Sequence, residues 1–469
     1  MLDLAIIGGT VVTPDGPAHL DIGVVDGVIA HVSLPGALPE AHRTVDVTGK
    51  LVLPGGVDPH VHTNPPGGME NVLGRDVIGL AALYGGMTTM IDFVWPGNGS
   101  PQAAIDAAID DWNGTAYTNY GFHIVLSDQS SDEHVDQIPA LISQGFPSYK
   151  VFTTSITPTM FDGFRTSTGQ LFEILSRTAA NGGIVDIHAE DDELVMHQYR
   201  KHFEAGKTDI VHMPDIHSTL SEDLSFSHVL RLASHLENAA VYMHHVTAKL
   251  GVDNVREYRA KGQPVYAETL AVLTLTTAAS YAEPDGHKYH IYPSLKFDED
   301  VEAIWQGIAD GTIHTFGTDG VCCLWEEKNK SRTIDETFGG VTGVEPKMAL
   351  LYTEMVRDRQ LGLKRLVEVT SENAARIFGL YPRKGAILVG SDADFVVLDP
   401  EDRRVIDPRD LHEGDYTPWG GREVYGWPSC TIIGGRVVIE GSELVDDGMH
   451  GQLLRRTLDP AVALGTAVG

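Results

Sequence analysis

Over the first fifty residues apolar and polar positions alternate with period two in short segments, at 4–7, 10–13, 20–25, 27–32 and 44–47, which predicts β-strands. The Asp-Gly pairs at 15–16 and 26–27 read as hairpin turns. The same texture returns at 386–398 and 429–440, with the turn Ile433-Gly434-Gly435-Arg436. A β-rich start and a β-rich end predict one small β domain assembled from both. Between them the pattern changes. Apolar, β-branched runs at 51–58, 87–94, 119–126, 147–153, 183–188, 239–246, 264–270 and 312–318 are separated by stretches of helical spacing at 76–84, 102–112, 134–144, 171–181, 224–238, 252–261 and 300–310. Eight strands alternating with helices predict a (β/α)8 TIM barrel in the α/β class. A doubly wound open sheet is the alternative, but no Gly-x-Gly-x-x-Gly turn opens a helix to support it.

Composition narrows the class. The chain of 469 residues fits one large barrel with an accessory domain, and 42% hydrophobic with 21% charged residues is a globular balance. Lys and Arg number 34 against 65 Asp and Glu, a net charge of −31, which disfavours nucleic acid and anionic membrane surfaces as partners. Three cysteines, Cys322, Cys323 and Cys430, make no disulfide framework and suit a reducing compartment. The first residues carry no basic region before an apolar core, and no apolar run reaches the length of a membrane span. The expectation is a soluble, cytoplasmic protein.

The chemistry lies at the predicted strand ends. His60 and His62 stand two apart where the first barrel strand closes, so both side chains project to the same side of the barrel mouth. The fourth strand places Lys150 inside an apolar run; the fifth ends in His188, the sixth in His244-His245 and the eighth in Asp319. One buried histidine is ordinarily a core residue, but five strands in phase describe a metal site. Burial depresses a lysine's pKa, and the neutral amine reacts with carbon dioxide to give a carbamate whose two oxygens can bridge two cations. Metal-assisted hydrolysis follows, with Asp319 moving the proton between water and leaving nitrogen. The adjacent Cys322 and Cys323 cannot readily chelate one ion together and are assigned to the loop or the pocket wall.

Several segments together resemble the hydantoinase/dihydropyrimidinase family of the amidohydrolase superfamily, over nearly the whole chain. They are Leu53-Pro54-Gly55-Gly56-Val57-Asp58-Pro59-His60-Val61-His62, Gly85-Gly86-Met87-Thr88-Thr89, Ser148-Tyr149-Lys150-Val151-Phe152, His188-Ala189-Glu190, His245-Val246-Thr247, Ala267-Glu268-Thr269, Gly317-Thr318-Asp319 and Asn373-Ala374-Ala375-Arg376. The resemblance implies a β-sandwich of 1–52 with 385–450, a barrel of 53–384 and a C-terminal tail of 451–469. It also implies N6-carboxylysine at Lys150 bridging two divalent ions, zinc by default, with manganese and cobalt fitting the same ligands. His60, His62 and Asp319 would complete the more buried site, with His188 and His245 on the exposed one. Asp319 would act as acid and base, His244 as a supporting neighbour. The substrate implied is a small cyclic amide, and the assembly a homotetramer or dimer.

The substrate-contacting positions depart from the family. The tyrosine usual five residues after the bridging lysine is Ser155, the Ser-Pro-Pro-Leu-Arg stretch is Tyr292-Pro293-Ser294-Leu295-Lys296, and the segment before Val344-Glu345 begins at Gly339. Ser155, Tyr292 and Gly339 are therefore the expected substrate contacts, with Tyr292 supplying the hydroxyl that Ser155 cannot. Two rival readings are a mononuclear deaminase, against which Lys150 argues, and a non-catalytic scaffold protein, against which the complete ligand set argues.

Overall fold

The computed structural model describes residues 1–63, 72–159 and 163–469. Its centre is a barrel of eight parallel strands: β1 (Gly56–Asp58), β2 (Met87–Val94), β3 (Asn119–Val125), β4 (Ser148–Phe152), β5 (Ile184–His188), β6 (Ala240–Met243), β7 (Val265–Leu270) and β8 (Thr315–Gly317). Each pairs with the next, from β1 with β2 to β7 with β8. The seam between β8 and β1 closes just past the strand ends. Val61 and Gly320 form a parallel bridge there, the His62 amide donates to the Gly320 carbonyl at 3.0 Å, and the Asp319 amide donates to the His60 carbonyl at 2.8 Å. Barrel closure itself thus brings three of the predicted ligands to one point.

All residues of β2, β3, β4 and β5 are buried, as a parallel sheet covered by helices requires. Helices Arg75–Tyr84, Pro101–Trp112, Thr168–Ala180, Lys249–Ala260 and Asp298–Asp310 lie within a few residues of the periodic stretches. Two stretches differ. The span 134–144 divides into Asp132–Val135 and Ile138–Ser143, with Pro139 at the start of the second. The helix expected at 224–238 runs Thr219–Ala233 instead, because Ser218 caps it early through the Ser221 amide. The helix Asp192–Glu204 is additional to those expected; its mean apolar content is low, and only Val195, Tyr199 and His202 are buried.

The terminal segments build the second layer pair. A seven-stranded sheet interleaves the two ends: Leu51–Pro54 lies between Thr10–Thr13, parallel, and Phe395–Leu398, antiparallel. A four-stranded sheet of Leu2–Ile7, Asp21–Val25, Val28–Ser33 and Ala41–Asp46 faces it. Ile6, Ile22, Val45, Val52, Phe395 and Ile432 fill the space between. Asp26-Gly27 makes a two-residue hairpin turn with φ of 51° and 76°, the left-handed pair that Asp-Gly adopts at low cost. The apolar run 51–58 serves both domains, changing sheets at Gly55. A Cβ at Gly55 would stand 2.2 Å from Thr88 Oγ1 and 2.9 Å from Thr88 Cβ, so the crossing there calls for glycine. Residues 451–469 run along the outside of the barrel, where Leu454 donates to the Tyr120 carbonyl at 2.7 Å and the fully buried Arg456 reaches Ser148 Oγ at 2.8 Å. Among the described residues no helix is long and apolar enough to cross a membrane.

Candidate active site

The six predicted ligands line one cavity at the C-terminal mouth of the barrel: His60, His62, Lys150, His188, His245 and Asp319. Strand β1 stops at Asp58, so His60 and His62 are placed by the seam rather than by strand pleating. His60 Nε2 and His62 Nε2 approach the same oxygen, Asp319 Oδ1, at 3.1 and 3.0 Å. The rings of His188 and His245 stand 4.5 Å apart on the other side. His245 and Asp319 have φ of 33° and 47°, left-handed conformations in non-glycine residues, held by the amide bonds of Asp319 to His60 and of Val246 to Glu268.

The donor set fits divalent ions. Lys150 Nζ, His62 Nδ1 and His245 Nδ1 are buried with no hydrogen-bond partner among the described residues. Such groups are costly to bury unless something else engages them. Lys150 is 1% exposed, with Nζ 4.9 Å from the centre of the Phe152 ring and 5.5 Å from that of Phe93. Burial lowers its pKa to about 8 against the raising fields of Asp319, Glu268 and Asp186. For His60 burial opposes charge, yet Asp319 and Glu268 together bring its pKa up to about 9. For His62 burial prevails over Asp319, and the value falls to about 4. Asp319 is itself held well below the carboxylate range: burial opposes the charge, but His60 and His62 outweigh it.

Two buried glutamates orient the imidazoles. Glu268 on β7 meets His60 Nδ1 at 2.7 Å, His244 Nδ1 at 3.1 Å and the Tyr242 hydroxyl at 3.0 Å. His244, the neighbour of the expected ligand His245, therefore buttresses Glu268, its ring 4.0 Å from that of His60. Glu190 does the same for the other side. Its Oε2 meets His188 Nε2 at 2.9 Å, and its Oε1 meets His217 Nδ1 at 2.9 Å. His217 Nε2 in turn meets the Tyr199 hydroxyl at 2.9 Å. Sequence reasoning does not find Tyr199, on the helix Asp192–Glu204, or His217, at the end of the turn Met213–Ile216; the two meet behind Glu190. Carboxylates that fix a ligand histidine's tautomer strengthen its hold on a metal. Glu268→Gln is expected to weaken metal binding by about 10–100-fold with the fold intact, read by equilibrium dialysis beside a thermal melt; unchanged affinity would contradict that role.

The substrate side is walled by Trp95, Phe152, Phe164, Ile156, Ile291 and Val321, with Tyr292, Gly339 and Gly340 among them. Of the three expected contacts, Tyr292 and Gly339 line the cavity and touch each other: a Cβ on Gly339 would stand 2.2 Å from Tyr292 Cδ2 and Cε2. Ser155 is not in the lining. Its amide bonds Asp192 Oδ1 at 2.7 Å, and Ile156, at a left-handed φ of 63°, takes the place at the wall. Burial pushes the Tyr292 hydroxyl well above its usual pKa. Lys328 is a further supporting residue that the sequence reading lacks. Fully buried, its Nζ donates to the carbonyls of His290, Phe338 and Gly340 at 2.8, 2.9 and 2.5 Å, stapling the loops that carry Tyr292 and Gly339. Cys322 and Cys323 are buried outside the ligand set, Cys323 Sγ lying 3.8 Å from the Tyr416 hydroxyl.

Comparison with known proteins agrees with this geometry. The amidohydrolase family model matches residues 51–438. The chain is 30% identical to the D-hydantoinase of Ralstonia pickettii over 467 residues, 97% of this chain and 99% of that one. It is likewise 30% identical to the D-hydantoinase of Geobacillus stearothermophilus, covering 96% of each. Among solved structures, the dihydropyrimidinase of Brevibacillus agri superposes with a TM-score of 0.92 at 28% identity, covering 97% of this chain and 99% of that chain. The L-hydantoinase (dihydropyrimidinase) of Arthrobacter aurescens gives 0.89 at 27%, covering 97% and 100%.

Proposed function

We propose a two-metal mechanism for this chain, which belongs to the amidohydrolase family, within it to the hydantoinase/dihydropyrimidinase group, and is a hydrolase of cyclic amide C–N bonds. His60, His62 and Asp319 would hold one divalent ion, His188 and His245 the other, and Lys150 both, as its carbamate. The observation that carries this is Lys150 Nζ, buried at the barrel mouth among imidazoles with no hydrogen-bond partner among the described residues. Addition of the neutral amine to carbon dioxide forms the N–C bond and releases one proton, giving an anion with two donor oxygens. When bound, the ions, zinc by default, ionise a water at neutral pH and polarise the amide carbonyl.

The side chains do the rest. The Asp319 carboxylate, oriented by His60 and His62, takes the attacking water's proton and returns it to the ring nitrogen as the C–N bond breaks. Tyr292 donates a hydrogen bond to the oxygen that gains charge. A tyrosine hydroxyl carries one donor, and burial holds its pKa well above the usual value, so it keeps that proton for the role. The apolar wall of Trp95, Phe152, Phe164, Ile156 and Ile291 suits a ring with an aliphatic or aromatic substituent, and it excludes water from the reacting amide.

The test is a panel of substituted hydantoins, dihydropyrimidines, imides and lactams, with linear amides as controls, against enzyme reconstituted with zinc, manganese or cobalt in bicarbonate. Ring opening confined to cyclic substrates with apolar substituents is expected; turnover of linear amides alone would overturn the reading. Tyr292→Phe is expected to lower kcat on the best substrate by ~10²–10³-fold, the usual loss for one oxyanion donor. An unchanged kcat would reduce Tyr292 to a wall residue.

A further inference from the structure

Away from the barrel mouth, three donors converge where the end of the helix Asp192–Glu204 meets the short helical turns Ile210–His212 and Met213–Ile216. His202 Nε2 lies 3.7 Å from Asp215 Oδ2, and His212 Nδ1 lies 3.6 Å from that same oxygen. One donor atom from each of the three residues falls within 4.8 Å of the other two, and the two rings are 5.5 Å apart. Donors around a tetrahedral zinc ion stand ~3.3 Å apart, so side-chain adjustments of up to about 1.5 Å would close the set.

The cluster is built rather than incidental. His202 is nine-tenths buried, and its Nδ1 lies 2.9 Å from the Gln198 carbonyl, which can only accept. Nδ1 must therefore carry the hydrogen, and the neutral ring presents its Nε2 lone pair to the cluster. This is the arrangement in which a backbone carbonyl fixes the tautomer of a metal-binding histidine. Asp215 is open to water, leaving room for solvent to complete the coordination. The opposing segment is anchored as well: Ile210, Met213 and Ile216 are fully buried in the core beneath. Two imidazoles and one carboxylate select zinc, nickel or copper over calcium and magnesium.

We propose that His202, His212 and Asp215 form a peripheral site for a divalent transition metal, separate from the barrel centre. Its position has a consequence. The same two elements carry Tyr199 and His217, whose hydrogen bond stands behind Glu190 and His188. An ion joining His202 to His212 and Asp215 ties these elements together a turn away from that contact and so stiffens the support of the active site.

The experiment is equilibrium dialysis of untagged, zinc-loaded enzyme against low-micromolar nickel, comparing the parent with His212→Ala and His202→Gln, each first checked by its thermal melt. The readout is the difference in bound nickel, which does not depend on what the barrel holds. About one equivalent per subunit present in the parent and absent from both variants is expected, together with slower hydrogen exchange at 192–204 and 210–217 in the parent alone when nickel is added. His212→Ala should leave the basal hydrolytic rate unchanged. Equal nickel in all three proteins would overturn the proposal and leave the cluster a simple ion pair.

Discussion

Lys150→Ala is expected to lower kcat/KM by at least ~10³-fold, the scale set by the several kcal/mol that a correctly held metal contributes to the transition state. The loss is chemical rather than structural. Lys150 Nζ makes no hydrogen bond among the described residues, so its removal breaks no bond. It relieves an amine that burial already presses toward the neutral form. In the metal-free proteins the thermal midpoint should therefore change little beyond the cavity term, while the variant binds less metal and gains less stability from it. Small carboxylates such as acetate or propionate should restore part of the rate, because the truncated side chain leaves room for an anion beside Phe93 and Phe152. Carbon-13 bicarbonate should give a carbamate resonance in the parent and none in the variant. A variant within tenfold of the parent, with its metal retained, would remove the bridging role.

Asp319→Asn is expected to reduce kcat by ~10²–10⁴-fold, the range for loss of a positioned acid and base, with KM nearly unchanged. Asparagine keeps the size of the residue and tolerates the φ of 47° found there, so the backbone bond to the His60 carbonyl survives. What disappears is an oxygen able to accept a proton between the two imidazoles. Metal content must be measured alongside, because Asp319 is also placed as a ligand. A drop in kcat at full metal occupancy identifies proton transfer, and a drop that metal addition reverses identifies ligation alone. Asp319→Ala should be worse in stability as well, since alanine has no local hydrogen bond to hold the left-handed backbone.

Much of this was legible along the chain because it is periodic. Strand and helix spacing located the barrel, and two Asp-Gly pairs and one Gly-Gly pair located three hairpins, since those patterns arise within a few residues. The candidate ligands were legible because few residue types bind metal and these stand in or just beyond predicted barrel strands. What periodicity did not carry is which side chain faces the substrate. Ser155 was the expected contact by its distance from Lys150, but the left-handed Ile156 and the Asp192 bond to the Ser155 amide turn the chain, and the isoleucine occupies the wall. Lys328 sits in the charged run Trp325-Glu326-Glu327-Lys328, which reads as surface, yet three carbonyls draw it fully inside.

The sequence by itself determined the alternation of β and α, the pairing of both termini in one β domain, and the six candidate ligands, because each follows from local geometry or residue chemistry. Only the tertiary structure decided how those ligands are held. His60, His62 and Asp319 meet because the barrel seam closes between β1 and β8. Glu268 serves His60 and His244 together, and Glu190 joins His188 to His217 and Tyr199, because strands and helices distant in sequence pack side by side. Distances between such residues depend on closure and packing of the whole barrel, and no spacing within one element records them.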